Sequence, residues 1–130
     1  MSKLDKNTKI KSSQEVDVLN DLIIDAIQDI KGKNIVKIDL TKVHDAPAEY
    51  FIICEGDSIV QVRGIAENVM RRVKTELSQN SFNKEGVLSS RWILLDYFQT
   101  VVHVFYPEAR AFYDLEDLWS DGKRTEYANL

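Results

Sequence analysis

The sequence predicts a two-layer α+β domain in which helices cover a mixed β-sheet. Three observations carry this reading. Two stretches, opening at Ser12 and Ser58, start on capping-box sequences and place apolar residues at helical spacing. Residues 50–54 (Tyr-Phe-Ile-Ile-Cys) are apolar without alternation, as in a central strand covered on both faces. Two further β-prone runs, 92–96 and 101–106, are separated by only residues 97–100, as in an antiparallel hairpin.

In chain order, residues 1–11 are polar and aperiodic, and 1–12 read as a flexible tail. The first helix starts at Ser12 with Glu15 three residues on. Leu19, Leu22, Ile23, Ala26, Ile27 and Ile30 form its apolar stripe, and Asp17, Asp21, Asp25 and Asp29 fall on another face. Gly32 is placed to end it as a left-handed cap. Residues 35–40 alternate with period two and read as a strand, followed by a loop through Pro47. The second helix opens on Ser58 and Gln61. It buries Val62, Ile65, Ala66, Val69, Val73 and Leu77, and leaves Arg63, Arg71, Arg72 and Lys74 wet. Residues 78–90 read as a loop, the hairpin follows, and residues 110–119 read as short helical turns on the sheet edge. The order is α-β-β-α-β-β-α: a single domain over 13–121, with a polar C-terminal tail over 122–130.

Composition narrows the function. A chain of 130 residues can bury a core without staples. Its single cysteine, Cys54, excludes an internal disulfide and suits a reducing compartment. In its apolar strand, Cys54 reads as a small buried hydrophobe. With no apolar run near the ~20 residues of a bilayer span and no secretory apolar segment at the start, the expected location is the cytosol, with no membrane partner. The net charge of −4 argues against a large nucleic-acid footprint. Between residues 92 and 121 lie Asp96, Glu108, Asp114, Glu116, Asp117 and Asp121, against the single cation Arg110. By charge alone these carboxylates read as a solvated face; with the aromatics among them they also suit a basic protein partner.

Two segments go beyond generic pattern. The first is Asp39 and Leu40, then 48–58 (Ala-Glu-Tyr-Phe-Ile-Ile-Cys-Glu-Gly-Asp-Ser), Gln61, Val62, Ile65 and Ala66. The second is 92–97 (Trp-Ile-Leu-Leu-Asp-Tyr), 102–105 (Val-His-Val-Phe), Arg110, Phe112, Tyr113 and 115–119 (Leu-Glu-Asp-Leu-Trp). Together they resemble the ribosomal silencing factor (RsfS, Iojap-like) family over about residues 15 to 121. Glu49 stands where the family usually has Asp, and Phe98 and Gln99 stand where it often has Gly and Asp, which replaces a residue tolerant of positive φ. The resemblance implies a nucleotidyltransferase-like topology without catalysis. It also implies binding to protein fourteen of the large ribosomal subunit, a block on subunit joining that represses translation under nutrient limitation, and a homodimer when free.

The enzyme alternative would use Gly56, Asp57 and Ser58 as a phosphate turn at a helix N-terminus, with strand carboxylates holding metal ions. Asp57 would oppose phosphate, and the following strand offers only Asp96, with Tyr97 and Phe98 where a second carboxylate is needed. Ser58 is better explained as an N-cap. No catalytic residue, metal ligand set or cofactor is expected; His44 and Asp45 are neighbours without further ligands. His103 reads first as a hydrogen-bonded structural histidine and second as a contact. Trp92, Phe105, Phe112, Leu115 and Leu118 are assigned to the core. The expected partner-binding set is Asp96, Tyr97, His103, Arg110, Tyr113, Glu116, Asp117 and Trp119, with Arg110 orienting Asp96 or Glu116 by a charge-assisted bond.

Overall fold

A computed structural model describes residues 11–130, so most of the predicted N-terminal tail lies outside the described residues. The elements are α1 (Ser13–Asp29), β1 (Lys33–Asp39), β2 (Tyr50–Glu55), α2 (Ile59–Leu77), β3 (Asn83–Glu85), β4 (Trp92–Asp96), β5 (Thr100–Phe105), α3 (Pro107–Tyr113), α4 (Leu115–Leu118) and β6 (Lys123–Tyr127). The six strands form one mixed sheet in the order β3-β4-β5-β2-β1-β6. Among the described residues, only the central β2–β5 pair is parallel. The α+β class, the helix-covered mixed sheet and the β4–β5 hairpin stand as the sequence predicts.

Both long helices begin where their caps dictate. At α1, Ser12 Oγ accepts from Glu15 N and Glu15 accepts from Ser12 N, a complete capping box. At α2 only half of it forms. Ser58 Oγ accepts from Gln61 N, but Gln61 Oε1 accepts from Asp57 N and its Nε2 donates to the carbonyls of Ile30 and Lys31, tying the end of α1 to the start of α2. At the end of α1 it is Lys31, not Gly32, that takes the left-handed conformation (φ 61°). Gly32 is needed for space instead, because a Cβ there would collide with Ile27.

Leu19, Ile23 and Ile27 of α1 and Val62, Ile65, Val69 and Val73 of α2 meet Ile35, Ile52, Ile93, Leu95, Val102 and Val104 from one sheet face. Burying each such chain contributes about 1.5–3 kcal/mol, and this layer is the main core. Arg72, predicted to stay wet, is instead half-buried between the helices, with its guanidinium 2.5 Å from Asp25, 2.9 Å from Asp29 and 2.7 Å from Glu76. Part of the acidic face of α1 is thus neutralised within the molecule.

Two short strands lie where loop and tail were expected. β3 pairs with β4 inside the polar 78–90 segment. Beyond it, Gly86 turns the chain at φ 81°, where a side chain would strike Trp92. β6 pairs with β1 inside the predicted 122–130 tail. Both are edge strands with mostly polar, solvent-facing residues, so neither shows the apolar alternation by which strands are read.

Candidate docking face

The second sheet face has its own residues, set by strand pairing. Asp96 on β4 lies opposite Val101 on β5, which neighbours Phe51 on β2; the next row is Leu94, His103 and Ile53; the last is Trp92, Phe105 and Glu55. The terminal turns and the 41–48 loop pack Leu115, Ala109 and Trp119, and Val43, Ala46 and Ala48, against Phe51, Ile53, Ile38 and Val36. On β4 the cover is incomplete. Ile93 and Leu95, which point to the helices, are fully buried, whereas Trp92, Leu94 and Asp96 on the other pleat are only half-buried. That difference on one strand locates an open strip on the sheet.

Aromatic rings line the strip. Trp92 stacks on Phe105 at 5.0 Å and leans on Tyr113 at 4.6 Å; Trp119 meets Phe51 edge-on at 6.0 Å. Beneath them, Trp92 Nε1–H donates to His103 Nδ1 at 3.0 Å. An indole can only donate, so His103 carries its own proton on Nε2. Burial lowers the pKa of His103 to about 3 and keeps it neutral. It braces the indole from below.

The structure divides the expected contact set. Asp96, Tyr113, Asp117 and Trp119 reach the surface. Tyr97 does not: it is fully buried, its phenol is pushed up to about 12 by desolvation, and it lies on the pleat opposite Asp96. His103, 3% exposed, is likewise covered, which leaves the structural reading. Arg110 and Glu116 are internal struts. The guanidinium donates through Nε and Nη2 to Glu116 (3.0 and 2.6 Å), and through Nη1 to Glu55 (3.1 Å) and the Asn34 carbonyl (2.7 Å). Arg110 therefore orients Glu116, as one of its two predicted options, and fastens the terminal turns to the end of β2.

Four residues of the face were assigned elsewhere or missed. Phe112 (79% exposed) and Leu118 point outward instead of closing the core, because α3 and α4 are too short to be covered on both sides. Trp92, also assigned to the core, is a wall of the strip, and Leu94 was not singled out. Period-two alternation through residues 92–97 was the available signal: it groups Trp92, Leu94 and Asp96 and sets Tyr97 apart.

At the Gly56 turn, the N–H groups of Gly56, Asp57 and Gln61 are already engaged within the chain. Gly56 N donates to the Phe105 carbonyl, Asp57 N to Gln61 Oε1, and Gln61 N to Ser58 Oγ. Asp57 itself is paired to Lys33 at 2.8 Å. Among the described residues, no group of three or more His, Cys, Asp or Glu side chains is placed to hold a metal ion, and no helix is long and apolar enough to cross a membrane.

Fold and face together define a class: an α+β domain whose accessible aromatic and acidic groups are spread over one partly covered sheet surface. Comparison with known proteins gives the family. The family described as "Ribosomal silencing factor during starvation" matches residues 12–130. A ribosomal silencing factor of Chromobacterium violaceum is 36% identical over 114 residues, covering 88% of this chain and 91% of the relative. One from Halalkalibacterium halodurans is 36% identical over 115 residues, covering 88% and 94%. A crystal structure of a Chromobacterium violaceum protein superposes with a TM-score of 0.76 at 36% identity, covering 91% of this chain and 93% of that one. The chain belongs to the ribosomal silencing factor family.

Proposed function

We propose that this chain acts by docking, without catalysis, on protein fourteen of the large ribosomal subunit. There its body obstructs the small subunit, so that the two subunits cannot join and translation is held down when nutrients are scarce. The observation that carries this reading is the half-covered strip of β4, where Trp92, Leu94 and Asp96 share one half-buried pleat and Trp92 leans on Tyr113. Aromatic side chains with apolar bodies and polar tips are the residues that dominate protein interfaces. Asp96 and Asp117 add a negative rim that favours a basic partner and speeds encounter with it. Membership of a family named for ribosome silencing supports the ribosome as the target. The place of action is the cytoplasm, and a homodimer is the proposed state of the free chain.

The test is sedimentation of the purified protein with separated large and small subunits at moderate salt, followed by light scattering of subunit joining. Pelleting with large subunits and slowed joining support the reading. Unimpeded joining, or equal binding to both subunits, refutes it.

A further inference from the structure

Three groups meet the ring of Trp92 on the open strip. Phe105 stacks on it at 5.0 Å and Tyr113 leans on it at 4.6 Å, while its Nε1–H donates to His103 Nδ1 at 3.0 Å. The two aromatic neighbours set the plane of the indole. They do not choose which edge points inward, because stacking has little preference within the plane and a tryptophan χ2 well is broad. A hydrogen bond is directional. It turns the polar edge of Trp92 toward the buried imidazole, and an indole has no second donor to show a partner.

The acceptor of this bond is an odd choice for its place in the sheet. His103 lies opposite Leu94 on one neighbouring strand and Ile53 on the other, and Phe51 meets it edge-on at 4.6 Å. Among the described residues, the bond from Trp92 is the one hydrogen bond its imidazole makes, and its buried Nε2 has no partner. An unpaired buried donor lowers stability. A leucine would suit these neighbours without that penalty, so what the imidazole adds is its hold on Trp92.

We propose that His103 is a positioning residue for docking. It touches no partner, and it acts by holding Trp92 with its N–H inward, so that the strip offers a fixed ring with no free donor. Such a ring suits a carbon surface on the partner, an aliphatic side chain or the methylene stem of a lysine or arginine. The role in binding rests on the docking reading above; the hold on Trp92 does not.

The experiment compares His103→Leu and His103→Met, which remove the acceptor, with His103→Gln, whose side-chain oxygen can accept from the indole. Each full-length variant is read by Tm, by the NMR signals of the two tryptophan Nε1–H groups, assigned through Trp92→Phe, and by sedimentation with large ribosomal subunits. The Leu and Met variants should keep Tm within about 5 °C of the parent. Their Trp92 N–H should shift and exchange with solvent about tenfold faster, and their binding to large subunits should weaken about fivefold. His103→Gln should restore both signal and binding. In a Trp92→Phe background, with no N–H to aim, His103→Leu should change binding less than about twofold. A larger fall in Tm in both apolar variants would make His103 an ordinary core contact and overturn the proposal. An unmoved Trp92 signal, or a binding loss that glutamine does not restore, overturns it too. If the parent chain pellets with large subunits and His103→Leu pellets equally well, positioning alone fails. If the parent does not pellet, the docking reading fails, and the indole signal decides whether His103 holds Trp92.

Discussion

Replacing Arg110 by methionine should destabilise the protein by about 3–5 kcal/mol, the range for removing one partner of a buried ion pair. Arg110, Glu55 and Glu116 are 11%, 16% and 13% exposed at their side chains, so water screens this cluster little. Methionine keeps much of the apolar stem, which isolates the charge effect. The Asn34 carbonyl also loses its donor, but Asn34 is exposed and water can replace it. The cost therefore comes from two carboxylates left without their cation. For a domain of this size it corresponds to a fall in Tm of ~10 °C or more. The assay is urea unfolding followed by the fluorescence of Trp92 and Trp119, both packed on the face that Arg110 anchors. A second variant sharpens the argument. Converting Glu55 and Glu116 to glutamine in the same background removes the orphaned charges and should restore roughly 2 kcal/mol or more, since a buried pair is worth little beyond its neutral replacement. A loss under about 1 kcal/mol for the single variant, or no recovery in the triple, would refute the strut assignment.

Three further outcomes follow. An unfolded chain protonates His103 near pH 6.5, whereas the folded chain holds it neutral to about pH 3. Below pH 6.5 the unfolded state therefore binds the extra proton and stability falls with pH, by ~2 kcal/mol between pH 8 and 5. His103→Gln should flatten that dependence in urea midpoints taken above the range of carboxylate protonation, and an unchanged slope would count against it. Phe98→Gly relieves a positive φ worth about 1 kcal/mol but loses the edge-on contact with Phe82 at 5.8 Å. In a Phe82→Ala background the same change should raise stability by ~1 kcal/mol, and a decrease would show that the turn is not strained. Tyr113→Ala and Asp117→Lys, both on the surface, should each weaken sedimentation with large subunits several-fold with Tm within about 2 °C of the parent, whereas Glu116→Lys should fail by unfolding.

How far the sequence reads depends on which residues carry apolar pattern. α1, α2, β2 and β4 bury one face or both, and their periodicity places them within a residue or two of their observed bounds. β3 and β6 are mostly exposed polar strands held chiefly by backbone pairing, with Tyr127 the one β6 side chain packed on the core, so they read as loop and tail. The contact set suffered from a related cause. Asp96 and Tyr97 are adjacent in sequence yet on opposite sides of the sheet, and only the pleat separates them. Arg110 and Glu116 have the composition of a charged surface, but the Asn34 carbonyl and Glu55, distant in sequence, meet them and take them inside. Phe112 and Leu118 fail in the other direction. Apolar chains on one-turn helices suggest core, and nothing local says that no second layer covers them.

The two rims of the sheet have a consequence for how copies of this molecule meet one another. The rim strands, Asn83–Glu85 and Lys123–Tyr127, are short and carry lysine, arginine and glutamate, with no apolar row to template another chain. Edges of that make discourage strand-by-strand polymerisation. A molecule displaying Trp92, Phe112 and Tyr113 to water can then remain dispersed at concentrations where an unguarded sheet would fibrillise, and self-association, where it occurs, is directed to side-chain surfaces and away from the backbone.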